Sequence, residues 1–259
     1  MMMTNAMISG WRTAGLAGTA LVLALIPTGT SSAQTPQAAA RSATATTTTP
    51  DFNGVWRTIN APAASREGSS LRWLPAPGEL PPLTPEYEAR YREVQASRES
   101  GSEATEPVAR CLPPGMPYFT LAQYGLEVVQ SRDKIVFFSE WMDAYRRVYM
   151  DGRKPANDLD PSYFGYSTGH WDGDTLVVET VGLRDDTVLD RYGSPHSDAM
   201  RISERIRLSS PDVLEDTIIV HDTKAFTKPW EIVRRYRRAP RDNDELHENT
   251  CTEGLNRRK

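Results

Sequence analysis

Between residues 125 and 238 the chain is a succession of short segments in which apolar and polar residues alternate. A period of two marks half-buried β-strands, because successive side chains of a strand point to opposite faces. The segments are 126–130, 134–141, 144–150, 166–171, 174–181, 200–208, 213–221 and 230–237. A run of this kind predicts a β-sandwich or a closed barrel. Carboxylates and arginines sit on faces otherwise built from Val, Ile, Leu, Phe and Trp. An ionisable group on an apolar face is costly unless it is paired or used chemically.

Turn signals separate the segments: Ser131-Arg132-Asp133, Asp151-Gly152, and Asp172-Gly173, a two-residue hairpin loop of the type I′ kind. No helix long enough for a βαβ crossover follows residue 125, which argues against a parallel sheet. The fold class expected is mostly β, an antiparallel meander forming a lipocalin-like barrel or a strongly curved sheet. A first strand is expected within 51–58, around Val55 and Trp56. One surface helix is expected near residues 85–98, with Thr84 as N-cap and Pro85 at the first helical position. Tyr87, Tyr91 and Val94 would lay it against the β-structure. Residues 74–85 read as a proline-dense extended segment, 101–106 as a polar loop and 110–118 as a tight turn. Phe226 and Trp230 make 224–230 a lid or corner plug.

The N-terminus reads as an export signal. Arg12 precedes an apolar run at 16–26 that is too short to span a membrane, and Ser31-Ser32-Ala33 offers a cleavage site after Ala33. The expected organisation is a signal peptide at 1–33, a disordered Thr/Ala-rich leader at 34–50 and a single β-barrel-like domain at 51–259. That places the mature protein in the periplasm or outside the cell, with no stable membrane insertion after cleavage. A formal charge of −4 gives no electrostatic case for nucleic acid. Cys111 and Cys251 suit an oxidising compartment. A disulfide between them would close a loop of roughly 140 residues, worth on the order of 5 kcal/mol in the chain-entropy model.

Gly54-x-Trp56 on the first strand and Arg234, Arg235 and Arg237 on the last resemble the lipocalins, in which that Trp packs beneath an Arg near the closed end. The blocks DFNGVW, LTPEY, ARCLPPGMP, WDGDTLVVET, PHSDAM and AFTKPW resemble, across nearly the whole mature chain, a family of exported bacterial β-rich proteins. This resemblance implies secretion and a β-rich fold and carries no chemistry to transfer. In that family the block before WDGDT more often reads N-G-H-S-x-G-R-W. Here Tyr166 takes the place of the His and His170 that of the Arg. Any function at those positions is then altered in this chain.

Four residues are the candidate catalytic set. Met200, Ile202, Glu204, Ile206 and Leu208 share one strand face, which puts a carboxylate in an apolar row. Desolvation would raise its pKa and prepare it for acid/base work; the alternative is an internal ion pair with Arg146 or Arg234. His196 is a candidate proton shuttle at the barrel mouth, oriented by Asp198 or Asp185; the alternative is a solvated loop histidine. Tyr166, Thr168 and His170 share a face suited to hydrogen-bonding a phenol or carbonyl. Tyr145, Arg147 and Tyr149 alternate with Arg146 and Val148, and aromatics in a barrel wall are usually core.

The expected function is a cofactor-independent acid/base enzyme of the lyase, hydratase/dehydratase or isomerase type, acting on a small apolar or aromatic molecule in the barrel cavity. His196 would move the proton, Glu204 would be the second acid/base, and Arg146 with Tyr166 would stabilise an oxyanion. His170, Asp198, Thr168 and Asp185 would bind the substrate. The alternatives are a non-catalytic periplasmic binding or carrier protein and a solid structural barrel. No phosphate cradle, nicotinamide fingerprint or P-loop occurs, so no cofactor is expected. Two Cys and four scattered His make a poor zinc site, so no metal is expected.

Overall fold

The last strand sets the plan of the fold. In β9 (Trp230–Arg238) Trp230, Ile232, Arg234 and Tyr236 are buried, while Glu231, Val233, Arg235 and Arg237 are exposed. On one side it pairs with β8 (Val213–His221) and on the other with β1 (Gly54–Thr58). The second pairing closes the sheet. This computed structural model describes residues 49–59, 81–100 and 110–251, within one compact unit, Thr46–Lys259. Its sheet is a closed barrel of nine strands, each hydrogen-bonded to its neighbours in chain order. The expected signal peptide, nearly all of the leader, most of the 74–85 segment and the 101–106 loop lie outside the described residues.

The eight strand segments in the second half all appear, two with unchanged ends and the others with ends moved by one or two residues. They are β2 (Leu126–Gln130), β3 (Lys134–Ser139), β4 (Tyr145–Tyr149), β5 (Tyr166–Asp172), β6 (Thr175–Val181), β7 (Arg201–Ser210), β8 and β9. All neighbouring pairs are antiparallel except β4 and β5, which run parallel through Val148↔Ser167 and Tyr149↔Thr168. The antiparallel meander therefore needs one correction. Residues 150–165 carry the chain back along the barrel, and no strand or helix interrupts them. A parallel crossover needs length, which a helix usually supplies but irregular chain can also provide.

Inward-facing Leu126, Val128, Ile135, Phe137, Val148, Leu176, Val178, Ile202, Ile206, Leu214, Ile218 and Val220 form the core with Trp56 and Tyr236. Full burial of such a side chain contributes roughly 1.5–3 kcal/mol. Trp56 is fully buried, its indole N–H donates to the Phe52 carbonyl at 2.8 Å, and the Arg238 guanidinium lies 4.2 Å from its ring centroid. The lipocalin-like Trp–Arg stack is thus made, by Arg238 rather than by one of the three arginines before it.

The helix α1 (Pro85–Glu99) starts after Thr84, as expected. The Thr84 hydroxyl does not cap it; it donates to the Lys224 carbonyl at 3.2 Å. The helix buries Tyr87, and its far end is tied to a loop: Gln95 donates to the Tyr192 carbonyl at 2.6 Å and Arg98 to that of Arg191 at 3.0 Å. Gly193 permits this approach. A Cβ there would lie 2.7 Å from Val94, and its φ is +78°. The 224–230 loop is a plug, with Phe226 and Trp230 buried and in edge-to-face contact at 6.4 Å.

The Cys111–Cys251 disulfide is formed, with Cα atoms 5.5 Å apart. It fastens the tail after β9, which also places Asn249 C=O on the Met142 amide (2.8 Å) and the His247 amide on Glu140 (3.1 Å). A structural disulfide of this kind belongs to a non-reducing compartment. Among the described residues no helix is long and apolar enough to cross a membrane.

Candidate functional site

The alternation that buries Ile202 and Ile206 also buries Glu204, and that on β4 buries Arg146; they are 1 % and 3 % exposed. The two meet in a bidentate ion pair. Arg146 Nη1 donates to Glu204 Oε1 at 2.8 Å and Nη2 to Oε2. The remaining contacts complete the guanidinium: Nε donates to Ser167 Oγ at 3.1 Å and Nη2 to Thr180 Oγ1 at 2.9 Å. Ser167 and Thr180 share a hydrogen bond at 2.8 Å. Burial opposes the arginine's charge, and Glu204 more than offsets this, so its pKa lies above the ordinary value. The chain of contacts crosses β4, β5, β6 and β7 inside the barrel.

Asp216 shares the interior. It stands opposite Arg234 in the β8–β9 register and is 3 % exposed. Its Oδ1 has no hydrogen-bond partner. Burial, then the charge of Glu204, push its pKa well above the ordinary aspartate range, against the pull of Arg146 and Arg234. Tyr236, whose hydroxyl donates to the Thr120 carbonyl at 2.8 Å, is also shifted up by burial. Between these groups lies a cavity of about 10 Å³, lined among others by Glu204, Asp216, Arg146, Thr120 and Tyr236. That is room for about one water.

His196 is elsewhere. It is 3 % exposed in the 182–199 connection, with Nε2 2.8 Å from Thr187 Oγ1 and Nδ1 3.2 Å from the Ser197 carbonyl. A carbonyl only accepts, so Nδ1 carries the proton and Nε2 accepts from the Thr187 hydroxyl. Burial pushes the imidazole pKa below its ordinary value despite the Ser197 carbonyl. The residue is a neutral staple, not a solvated loop histidine. Asp198 does not orient it; that carboxylate is paired with Lys224 on the surface. Asp222 does the local work, accepting from the Ser197 amide and hydroxyl, each at 2.7 Å. Asp185 is exposed and reaches His196 only through its field.

Tyr166, Thr168 and His170 alternate with buried Ser167 and lie on the outer face of β5. The structure thus brings Arg146 and Glu204 together inside, places Tyr166 with Arg146 only on the lining of an outer cleft, and leaves His196 apart from all three. Neither Tyr166 nor His196 lines the interior cavity.

The large space is a cleft of about 470 Å³ at the β4–β5 seam. The parallel pair makes only two register contacts, so the strands separate toward Tyr145 and Phe164. Tyr145, Tyr149, Tyr166, Phe164, Met142 and Pro113 supply apolar wall, with Asp143, Arg146, Arg147, Ser162 and Ser167 as polar groups, Arg146 having its charge already met by Glu204. Tyr149 and Tyr166 stack at 5.0 Å with a 29° interplanar angle. Cys111, Met142 and Asp143 also line it, with φ of 56°, 59° and 49°. Among the described residues these are the non-glycine positions in the left-handed region. Such a conformation costs about 1–2 kcal/mol where no glycine or Asn/Asp chemistry relieves it.

Among the described residues, no group of three or more His, Cys, Asp or Glu is arranged to hold a metal ion. Comparison with protein-family models and with curated proteins finds no match.

Ser167, Thr180 and Asp216 were not singled out from the sequence. Asp216 had a signal, since Leu214, Asp216, Ile218 and Val220 repeat the pattern that marks Glu204. The cleft had none, because its walls come from three separate stretches of chain, 111–113, 142–149 and 162–167.

Proposed function

We propose that this is an exported, non-catalytic binding or carrier protein whose small apolar or aromatic ligand occupies the β4–β5 cleft. The observation that carries this reading is the coincidence of strain and space. Cys111 and Met142, neither a residue that relieves a left-handed backbone, both border the cleft. Strained backbone persists where surrounding structure over-determines it, and it clusters at ligand sites. The cleft volume of about 470 Å³ falls in the range of small-molecule pockets. The disulfide and the N-terminal signal pattern support a periplasmic or extracellular location.

The acid/base enzyme reading finds less support. Glu204 is engaged through both oxygens by Arg146, and both ring nitrogens of His196 are occupied. Neither has substrate-sized space beside it in the two cavities described.

The test is native mass spectrometry of the disulfide-bonded protein purified from its own periplasm. Wild type is expected to retain a small molecule that Tyr149→Ala and Tyr166→Ala, both outward-facing and folded, release. Equal retention by all three proteins, or chemical conversion of the released molecule by the protein, would overturn the reading.

A further inference from the structure

Resting on the cleft reading, we propose that the ligand is an aromatic anion, its ring against the Tyr149–Tyr166 stack and its acidic group on Arg147. The arginines of this barrel are mostly committed. Arg146 is held by Glu204, Arg57 by Glu140, Arg207 and Arg235 by Glu215, Arg205 by Asp172 and Arg184 by Asp186. Arg153, near the same tyrosines, is bound to Asp151 through several N–H groups. Among the described residues Arg147 has no carboxylate within ion-pair distance. It is exposed, lies 4.6 Å from the Tyr145 ring centroid, and spends one N–H on the Tyr145 hydroxyl at 3.0 Å.

A guanidinium presents five donors in a planar fork that matches an acidic group. Stacking on Tyr145 holds that fork at the cleft wall while leaving most donors open. Tyr145 and Tyr149 already carry the guanidinium groups of Arg147 and Arg153 at 4.6 and 4.3 Å from their centroids, so Tyr166, stacked on Tyr149, offers the flat apolar face of the pair at low entropy cost. Ring and charge together define an aryl carboxylate, sulfonate or phenolate. Asp143 lines the same cleft and is exposed, also without an ion-pair partner among the described residues. It disfavours an acid placed beside it and so orients the anion toward Arg147.

The two charges predict opposite effects, which makes the test sharp. Calorimetric titration of the full disulfide-bonded chain with 2-naphthoate and with its neutral isostere 2-naphthamide is the experiment. Wild type is expected to prefer the naphthoate by about tenfold, the effect of one charge-assisted hydrogen-bonded contact. Arg147→Gln weakens naphthoate far more than naphthamide and so removes that preference. Asp143→Asn, which keeps a residue tolerant of the left-handed backbone, tightens naphthoate by about twofold. Near-UV circular dichroism confirms that each variant is folded. Equal affinity for the two probes in wild type overturns the anion inference and leaves the cleft standing. Binding of neither probe overturns the cleft as an aromatic site as well.

Discussion

Arg146 on β4 and Glu204 on β7 face each other squarely in the barrel interior, although two whole strands lie between them in the sheet. Ser167 and Thr180 on those intervening strands fill the gap and complete the arginine's contacts. The arrangement is a cross-brace: one charge on each side, hydroxyls between, and almost no solvent.

A buried pair of this kind resists loss of one partner far more than loss of both. Glu204→Gln or Arg146→Met alone is expected to cost about 3–5 kcal/mol, because the remaining group is left uncompensated. The double variant Arg146→Met/Glu204→Leu is expected to lie within about 1 kcal/mol of wild type or above it, since Ser167 and Thr180 still satisfy each other. Urea denaturation of the four proteins checks this. A Glu204→Gln variant of unchanged stability would contradict the brace.

Asp216 gives the interior a pH dependence. Its folded pKa is raised, so between the ordinary aspartate value and that raised value the native state binds more protons than the unfolded chain. Stability contributed by this group is therefore greatest at low pH and falls as pH rises through that window. Asp216→Asn keeps the shape and removes the titration. The variant is expected to gain on wild type as pH increases from about 4 toward neutrality. Chemical denaturation across that range measures it; parallel curves for the two proteins would count against a raised Asp216.

His196 titrates with the other sign. Its folded pKa is depressed, so its contribution is complete above the ordinary histidine value and is lost as pH falls below about 6.5. His196→Asn is expected to cost about 1–3 kcal/mol near neutral pH by leaving Thr187 only its long contact to the Arg184 carbonyl at 3.4 Å, and to shed that part of the acid sensitivity. Its affinity for 2-naphthoate should match wild type, because His196 does not line the cleft. Loss of binding without loss of stability would restore His196 to the functional site.

The parity of β7 was readable because it is a local property: a strand sends Ile202, Glu204 and Ile206 the same way whatever it pairs with. The same reasoning buried Arg146 and Arg234 and turned Tyr145, Arg147 and Tyr149 to the other side. It failed where sidedness had to be joined to position. Tyr166 was expected inside with Glu204, yet β5 turns Ser167 inward and Tyr166 out. Strand alternation says which residues share a face, but not which face meets the core when neither row is plainly apolar.

What the amino-acid order alone determined is the number of strands, their approximate limits, the helix start at Thr84 and the inward placing of Glu204, Arg146 and Arg234. All follow from periodicities of two and 3.6 and from turn chemistry within a few residues. What tertiary structure decided is which charges meet. Glu204 had two arginines to choose from, and closure of the barrel through β1 and β9 brought it to Arg146 and set Asp216 across from Arg234. The same closure ran β4 and β5 parallel and opened the cleft between them. Those outcomes depend on how strands far apart in the chain are packed around one interior, which no local repeat encodes.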